Sequence, residues 1–371
     1  MKRMTIVGRV LMLILAHAAP ALAAPTMIRL GYSDCATCHL SPQGGGLLTT
    51  YGKGIDVAQS LRSREVQPVD VEQRRLLYDV RFLFGTQMAD SLTSHTSTTS
   101  STFQAQLRTF ARLTDHQRLI ATFGLASPTL IASKRAAGTT AALVPRAIWE
   151  YRPKKGISLT AGRDELPTGL GLPDPQAYMR RSTDLGTTVY PTQVKAFLWN
   201  DRFQVTPYAF GPGGGEDPRL RQWGVGGLAG VDVWKHKAIV GVSALDSRSA
   251  AFNRRSMGAY ARLGFGRWGV LAEHEITGRS ATDVTAQTTQ YVAGHTQVFF
   301  APYEWLVTSL GAEEVATHGA TVSHAFRLAP GVKVRVSENL TAVFTMRDVF
   351  SGLSAGRTRT YSVGLAVKTV Q

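Results

Sequence analysis

Only two cysteines, Cys35 and Cys38, occur in 371 residues, so no disulfide framework holds this chain together. Beyond the first two dozen residues the sequence also lacks any uninterrupted apolar run of the ~20 residues that a membrane-spanning helix needs. That absence excludes an α-helical membrane protein. Acidic charge is scarce, with 26 Asp and Glu against 41 Lys and Arg. Residues 24–73 contain one histidine, His39, and no cysteine beyond the pair. A structural zinc site, which wants four nitrogen or sulfur ligands, therefore has too few donors nearby.

What is present begins with an export signal. Lys2, Arg3 and Arg9 flank an apolar stretch around Val10–Leu15, and Ala21-Leu22-Ala23 supplies small residues at a cleavage site. Cleavage is expected after Ala23. A retained anchor is the alternative, but the apolar core is short and runs into Ala- and Pro-rich sequence. The formal charge of +15 falls to +12 once the three basic leader residues are gone. Arginines spread singly along an exported chain argue against a nucleic-acid partner.

Cys35-Ala36-Thr37-Cys38-His39 carries the most chemistry. Two thiols three positions apart followed by histidine form the attachment pattern for a c-type haem, with the thiols bonding the vinyl groups and His39 as proximal iron ligand. One covalent haem c per chain is the expectation. A disulfide, a thioredoxin-like redox pair and half of a zinc site are the alternatives; the thioredoxin reading lacks the βαβ pattern it needs. Met27, the one methionine of the segment, is a candidate distal ligand, with packing against the porphyrin edge as its rival. Tyr51, Lys53 and Met88 are further candidates for that position. Arg29 and Lys53 are candidates for neutralising the haem propionates.

From Arg74 onward the pattern changes to period two, the mark of strands with two unlike faces. Leu76, Tyr78, Val80, Phe82 and Phe84 oppose Leu77, Asp79, Arg81, Leu83 and Gly85. Sixteen strands are expected, centred near residues 81, 107, 122, 147, 159, 193, 206, 227, 241, 261, 272, 293, 309, 324, 337 and 364. Short links, such as Asn200-Asp201-Arg202 and Ala329-Pro330-Gly331, alternate with long polar ones, such as 164–186 and 346–357. An even strand number with alternating short turns and long loops is the organisation of an outer-membrane β-barrel. Trp149, Trp199, Trp234, Trp268 and Trp305 all fall beside short links, as an interfacial girdle would. A soluble β-sandwich also alternates, but its interior has no use for Gln106, Arg108 and Arg112.

The reading is thus an all-β chain: a signal peptide at 1–23, a monohaem cytochrome c segment at 24–73 that is small enough to plug a barrel, and a transmembrane antiparallel barrel of about 16 strands at 74–371. Inward charges such as Arg108, Arg112 and Glu150 either hydrate a polar lumen or form a seat for a plug bearing haem propionates. The longest loop, Asp164 to Asp174 with Tyr178 and Met179 beyond it, either folds inward as a constriction or faces outside partners.

On these residues the chain resembles the fused monohaem cytochrome–porin family of bacterial outer membranes. Pro25 and Arg29 ahead of the motif, and Pro42, Leu47 and Tyr51-Gly52-Lys53 after it, are similar to the family pattern. Met27, Gly31-Tyr32 and Gly44-Gly45-Gly46 depart from it. The resemblance implies electron transfer between an extracellular donor or acceptor, Fe(II) among them, and a periplasmic c-type cytochrome or other carrier. It also implies outer-membrane lipid around the barrel and both termini in the periplasm. Two rivals stand beside it. One is a solute porin, anion-selective by its basic lumen, with the haem as sensor or gate; the other is an enzyme with an open iron position.

Overall fold

The computed structural model describes residues 25–32, 35–41, 46–62, 71, 73–92, 94, 96–127, 141–171, 177–179, 190–213, 221–282, 288–319, 322–351 and 357–369. The leader, Pro42, Gly44-Gly45 and the C-terminal Gln371 lie outside them. Among the described residues a 3₁₀ turn, Pro25–Leu30, and one α-helix, α1 (Thr50–Ala58), precede the strands. These are β1 (Leu76–Ser91), β2 (Thr96–Arg112), β3 (Gln117–Ala126), β4 (Ala141–Lys154), β5 (Ile157–Arg163), β6 (Thr192–Trp199), β7 (Phe203–Gly211) and β8 (Trp223–Asp232). The second half comprises β9 (Ala238–Arg248), β10 (Phe252–Phe265), β11 (Trp268–Ala281), β12 (Thr289–Tyr303), β13 (Leu306–His318), β14 (Ser323–Arg335), β15 (Leu340–Ser351) and β16 (Arg357–Lys368).

The sixteen strands close into one antiparallel barrel, each paired with its neighbours in sequence. Closure is made by β1 against β16, with Phe84 opposite Leu365. A closed ring leaves no edge strand, so the backbone groups of the wall pair strand to strand, which a hydrocarbon surrounding demands. Alternation sets which face meets lipid. Leu76, Tyr78 and Phe84 are exposed on the outside, while Leu77 and Asp79 are buried within. The same division puts Met257 at 71% exposure beside the fully buried Arg254 and Ser256 on β10.

Aromatic pairs ring the short-turn end: Trp234 with Phe265 at 5.5 Å, Trp268 with Phe300 at 4.4 Å and Tyr303 with Trp305 at 5.3 Å between ring centroids. Trp149 stacks on Tyr151. Trp199 departs from the expected girdle and stacks on the buried Phe197.

One pair of strands differs from expectation. Ala329-Pro330-Gly331 is no turn but the middle of β14, and the short link follows Arg335, so the fifteenth strand starts at Leu340. Proline lacks the N–H a ladder needs. Pairing to β15 accordingly lapses between Leu328↔Asp348 and Gly331↔Thr345, then resumes in the same register. Several long links are also shorter than expected; β9 ends at Arg248 and β10 begins at Phe252. The strands there continue into polar sequence, such as Asn253-Arg254-Arg255-Ser256, whose inner face is buried but whose residue types do not alternate in hydropathy.

Candidate functional site

Among the described residues, two pieces of the chain fill the barrel interior. The first is the segment before β1. Its 3₁₀ turn rests on the foot of β10 and β11, where Ile28 packs with Tyr260, Leu271 and Phe299. A side chain at Gly264 would collide with the Ile28 carbonyl, so only glycine admits this approach. Arg29 forms a two-pronged ion pair with Glu304, at 2.5 and 3.4 Å. The guanidinium expected to meet a propionate is thereby committed to the barrel wall.

Cys35 to His39 form a single turn, in which the His39 N–H donates to the Cys35 carbonyl at 2.9 Å and the Cys38 N–H to the same oxygen at 3.3 Å. The chain then doubles back. His39 bridges to Leu48, and Thr49 N–H donates to the Cys38 carbonyl at 3.0 Å. Thr49 caps α1 by accepting from Gly52 N–H at 3.0 Å, and its hydroxyl donates to the Thr37 carbonyl at 3.1 Å. A Cβ at Gly52 would strike the Cys38 carbonyl. Helix and motif are thus one packed unit. Tyr32 and Tyr51 share a hydroxyl–hydroxyl hydrogen bond beside it. That bond, with burial, pushes the Tyr32 phenol up to about 12.

Two further walls hold this unit. Leu40 and Leu47 pack on Leu77, Phe110, Ile120 and Ile148, while Arg152 donates to the Leu40 carbonyl and Arg108 to the Gly46 carbonyl. From the last turn of α1, Asp56 pairs with Arg335 and Lys368, and Arg335 also donates to Gln59 Oε1 at 2.7 Å. Gln59 Nε2 in turn donates to Met27 Sδ at 3.4 Å, which sets Met27 against the helix end. Lys53 is half-buried on α1. Arg152, Glu304, Arg335 and Lys368 all stand near short turns, so the segment occupies that mouth of the barrel.

The second piece is the β5–β6 loop, which runs inward as one of its two expected courses requires. Asp164 is held by Arg146 at 2.8 Å and Lys195 at 2.6 Å. Burial alone would raise its carboxyl, but those two cations outweigh it and leave it below the ordinary range. Leu170 N–H donates to Glu273 at 3.0 Å, and Tyr178 N–H to Glu313 at 2.9 Å. Arg327 pairs with Glu313 and stacks on the Tyr178 ring. Leu170 shares a cluster with Ile28, so loop and N-terminal segment meet inside the barrel. Leu172 and Asp174 lie outside the described residues.

Cys35 and Cys38 remain as thiols, not joined to each other. Two thiols and an imidazole on one turn are the donor set that covalent haem attachment uses, and the chemistry of these residues fits that group. Among the described residues no group of three or more His, Cys, Asp or Glu side chains is arranged to hold a metal ion. Sequence reasoning missed Thr49 and Arg152. A threonine just before a helical run signals an N-cap, and Arg152 continues the inward series Arg146, Ile148, Glu150.

The filled, closed barrel of sixteen strands has clear structural parallels. The chain has the fold of an outer-membrane porin. A loop-deletion form of OmpT, an outer membrane protein of Vibrio cholerae, superposes with a TM-score of 0.61 at 11% identity, covering 80% of this chain and 100% of its own. An anion-selective porin from Comamonas acidovorans gives 0.60 at 12% identity over 79% and 100%. The outer membrane channel DcaP of Acinetobacter baumannii gives 0.57 at 9% over 79% and 96%. No protein-family model matches the chain, and no curated protein matches it.

Proposed function

We propose that this chain is an outer-membrane cytochrome–porin, which passes electrons through one covalent c-type haem between a periplasmic carrier, such as a c-type cytochrome, and an extracellular donor or acceptor, Fe(II) among them. The observation that carries the reading is the seat of Cys35–His39: inside the ring of strands, packed under Gly52 and bound to three walls. Bound there, haem supplies a one-electron iron couple. The chain's own part is to hold the thiols and His39 at fixed depth, and to exclude water with Leu40, Leu47 and Ile28. In this reading the short turns and both termini face the periplasm and the long loops face outside. A single redox group serves both sides of an apolar band ~25 Å tall only if it stands within the lumen.

A second reading, which the structural relatives favour, is a solute channel for anions with the Cys35–Lys53 segment as its gate. The anion-selective relative and the basic balance of this chain support it. Against an open channel stands the burial of lumen charges: Glu150, Lys195, Glu273, Glu313 and Arg327 are all closed from solvent. Liposomes holding an entrapped redox dye, given an impermeant reductant outside, separate the two. Dye reduction is expected with the wild-type protein and lost in Cys35→Ala/Cys38→Ala with the barrel intact. Equal reduction by the haem-free barrel means leakage through a pore, and the channel reading replaces the first.

A further inference from the structure

The wall beside Leu40 holds more positive charge than it neutralises. Arg112, Arg118 and Arg152 face inward from β2, β3 and β4 near the short turns. Arg112 is directly opposite Arg118, and Arg118 directly opposite Glu150. Like charges in such opposed positions repel. Glu150, 1% exposed, is the carboxylate that Arg118 and Arg152 share, and Arg112 stands beyond Arg118. Its Oε1 accepts from Arg152 Nε at 3.0 Å and Ser158 Oγ at 2.6 Å, while Arg118 stands 3.7 Å from Oε2, beyond hydrogen-bond reach. Arg112 Nε, Arg118 Nε, Arg118 Nη1 and Glu150 Oε2 are closed from solvent without hydrogen-bond partners.

Three cations against one anion leave a surplus of two, and buried charge without a counter-charge is costly. Arg152 ties this cluster to the haem motif, because its guanidinium donates to the carbonyl of the residue that follows His39. Arg29, by contrast, is already spent on Glu304.

We propose that Arg112, Arg118 and Arg152 seat the two haem propionates, whose two negative charges match the surplus. The proposal rests on the haem reading above. It assigns the cluster to carboxylates of the chain's own prosthetic group; a free anion such as phosphate offers similar chemistry and is the other source to be separated.

The test is potentiometry of the full-length holoprotein with Arg112→Gln and Arg118→Gln, each checked for covalent haem and for barrel folding by heat-modifiable gel mobility. Removing a nearby cation would favour the oxidised, more positive iron. Reduction is expected to become harder by up to about tenfold, or about 59 mV for one electron. Arg118→Lys is expected to restore most of the loss, since it keeps the charge. Haem attached at wild-type stoichiometry with an unmoved potential in both glutamine variants overturns the propionate seat alone. Wild-type protein made with intact haem maturation but bearing no covalent haem overturns the haem reading, and the seat with it. In the haem-free Cys35→Ala/Cys38→Ala barrel, phosphate titration covers the other source. Phosphate binding there that Arg118→Gln abolishes, together with an unmoved holoprotein potential, gives the cluster to a free anion and overturns the assignment.

Discussion

At the scale of single residues, the pattern from Cys35 to His39 was legible because it is local: two thiols and an imidazole need only five consecutive positions. Gly52 was visible only through family resemblance, since its reason lies in the Cys38 carbonyl that its missing side chain admits. Arg112 and Glu150 were legible as inward charges and a candidate seat for a plug bearing propionates, but the surplus that Arg112 makes with Arg118 and Arg152 was not. Neutralisation there depends on which strands stand side by side, and period two reveals the face but not the neighbour. Gly52→Ala tests the close approach directly. The added methyl must displace either α1 or the Cys35–His39 turn, at a cost of about 1–3 kcal/mol for overpacking. Covalent haem per folded barrel is expected to fall, as read by haem absorbance against protein. Undiminished attachment would show that the turn gives way freely and that the packing is incidental.

Among the elements, strand number and alternation followed from the sequence, and the β14–β15 boundary did not. Pro330 reads as a turn residue, yet a barrel strand tolerates it when the adjacent ladder lapses for two residues and the register holds. The β5–β6 loop was open between two courses because its anchors, Glu273 and Glu313, come from β11 and β13, distant in sequence. The ion pairs of Asp164 set a pH dependence for that loop. A carboxyl held below its ordinary value contributes its full stabilisation above the unfolded value near 3.9 and loses it as pH falls through the lower folded value. Hydrogen exchange of the backbone amides of residues 164–171 is expected to stay slow at about pH 5 and to lose protection only as the pH falls well below about 3.9. Asp164→Asn leaves Arg146 and Lys195 buried without their anion, at a cost of about 3–5 kcal/mol. In that variant the same amides are expected to exchange faster already at about pH 5, and equal protection in variant and wild type would remove the ion pairs from any role in holding the loop.

For the molecule as a whole, the barrel and its filling make opposite claims on permeability. A sixteen-stranded ring is wide enough for an aqueous channel, whereas Ile28, Leu40, Leu166 and Leu170 are buried inside it and carry the apolar clusters that close it. Each such side chain, fully buried, contributes about 1.5–3 kcal/mol that opening would forfeit, so the filled state is the stable one and wild-type conductance in planar bilayers is expected to be small. One anchor is the contact of the 3₁₀ turn with β10, which needs Gly264 to have no side chain where the Ile28 carbonyl lies. Gly264→Val forces the two apart and loosens the segment at its N-terminal end, while Leu40 and Asp56 still bind it elsewhere. Larger, flickering openings are therefore expected from this variant, with anions carrying more of the current because the exposed wall is basic. A wild-type protein that already conducts as an open channel would mean that the N-terminal segment does not fill the mouth, and the solute-channel reading would then stand without its gate.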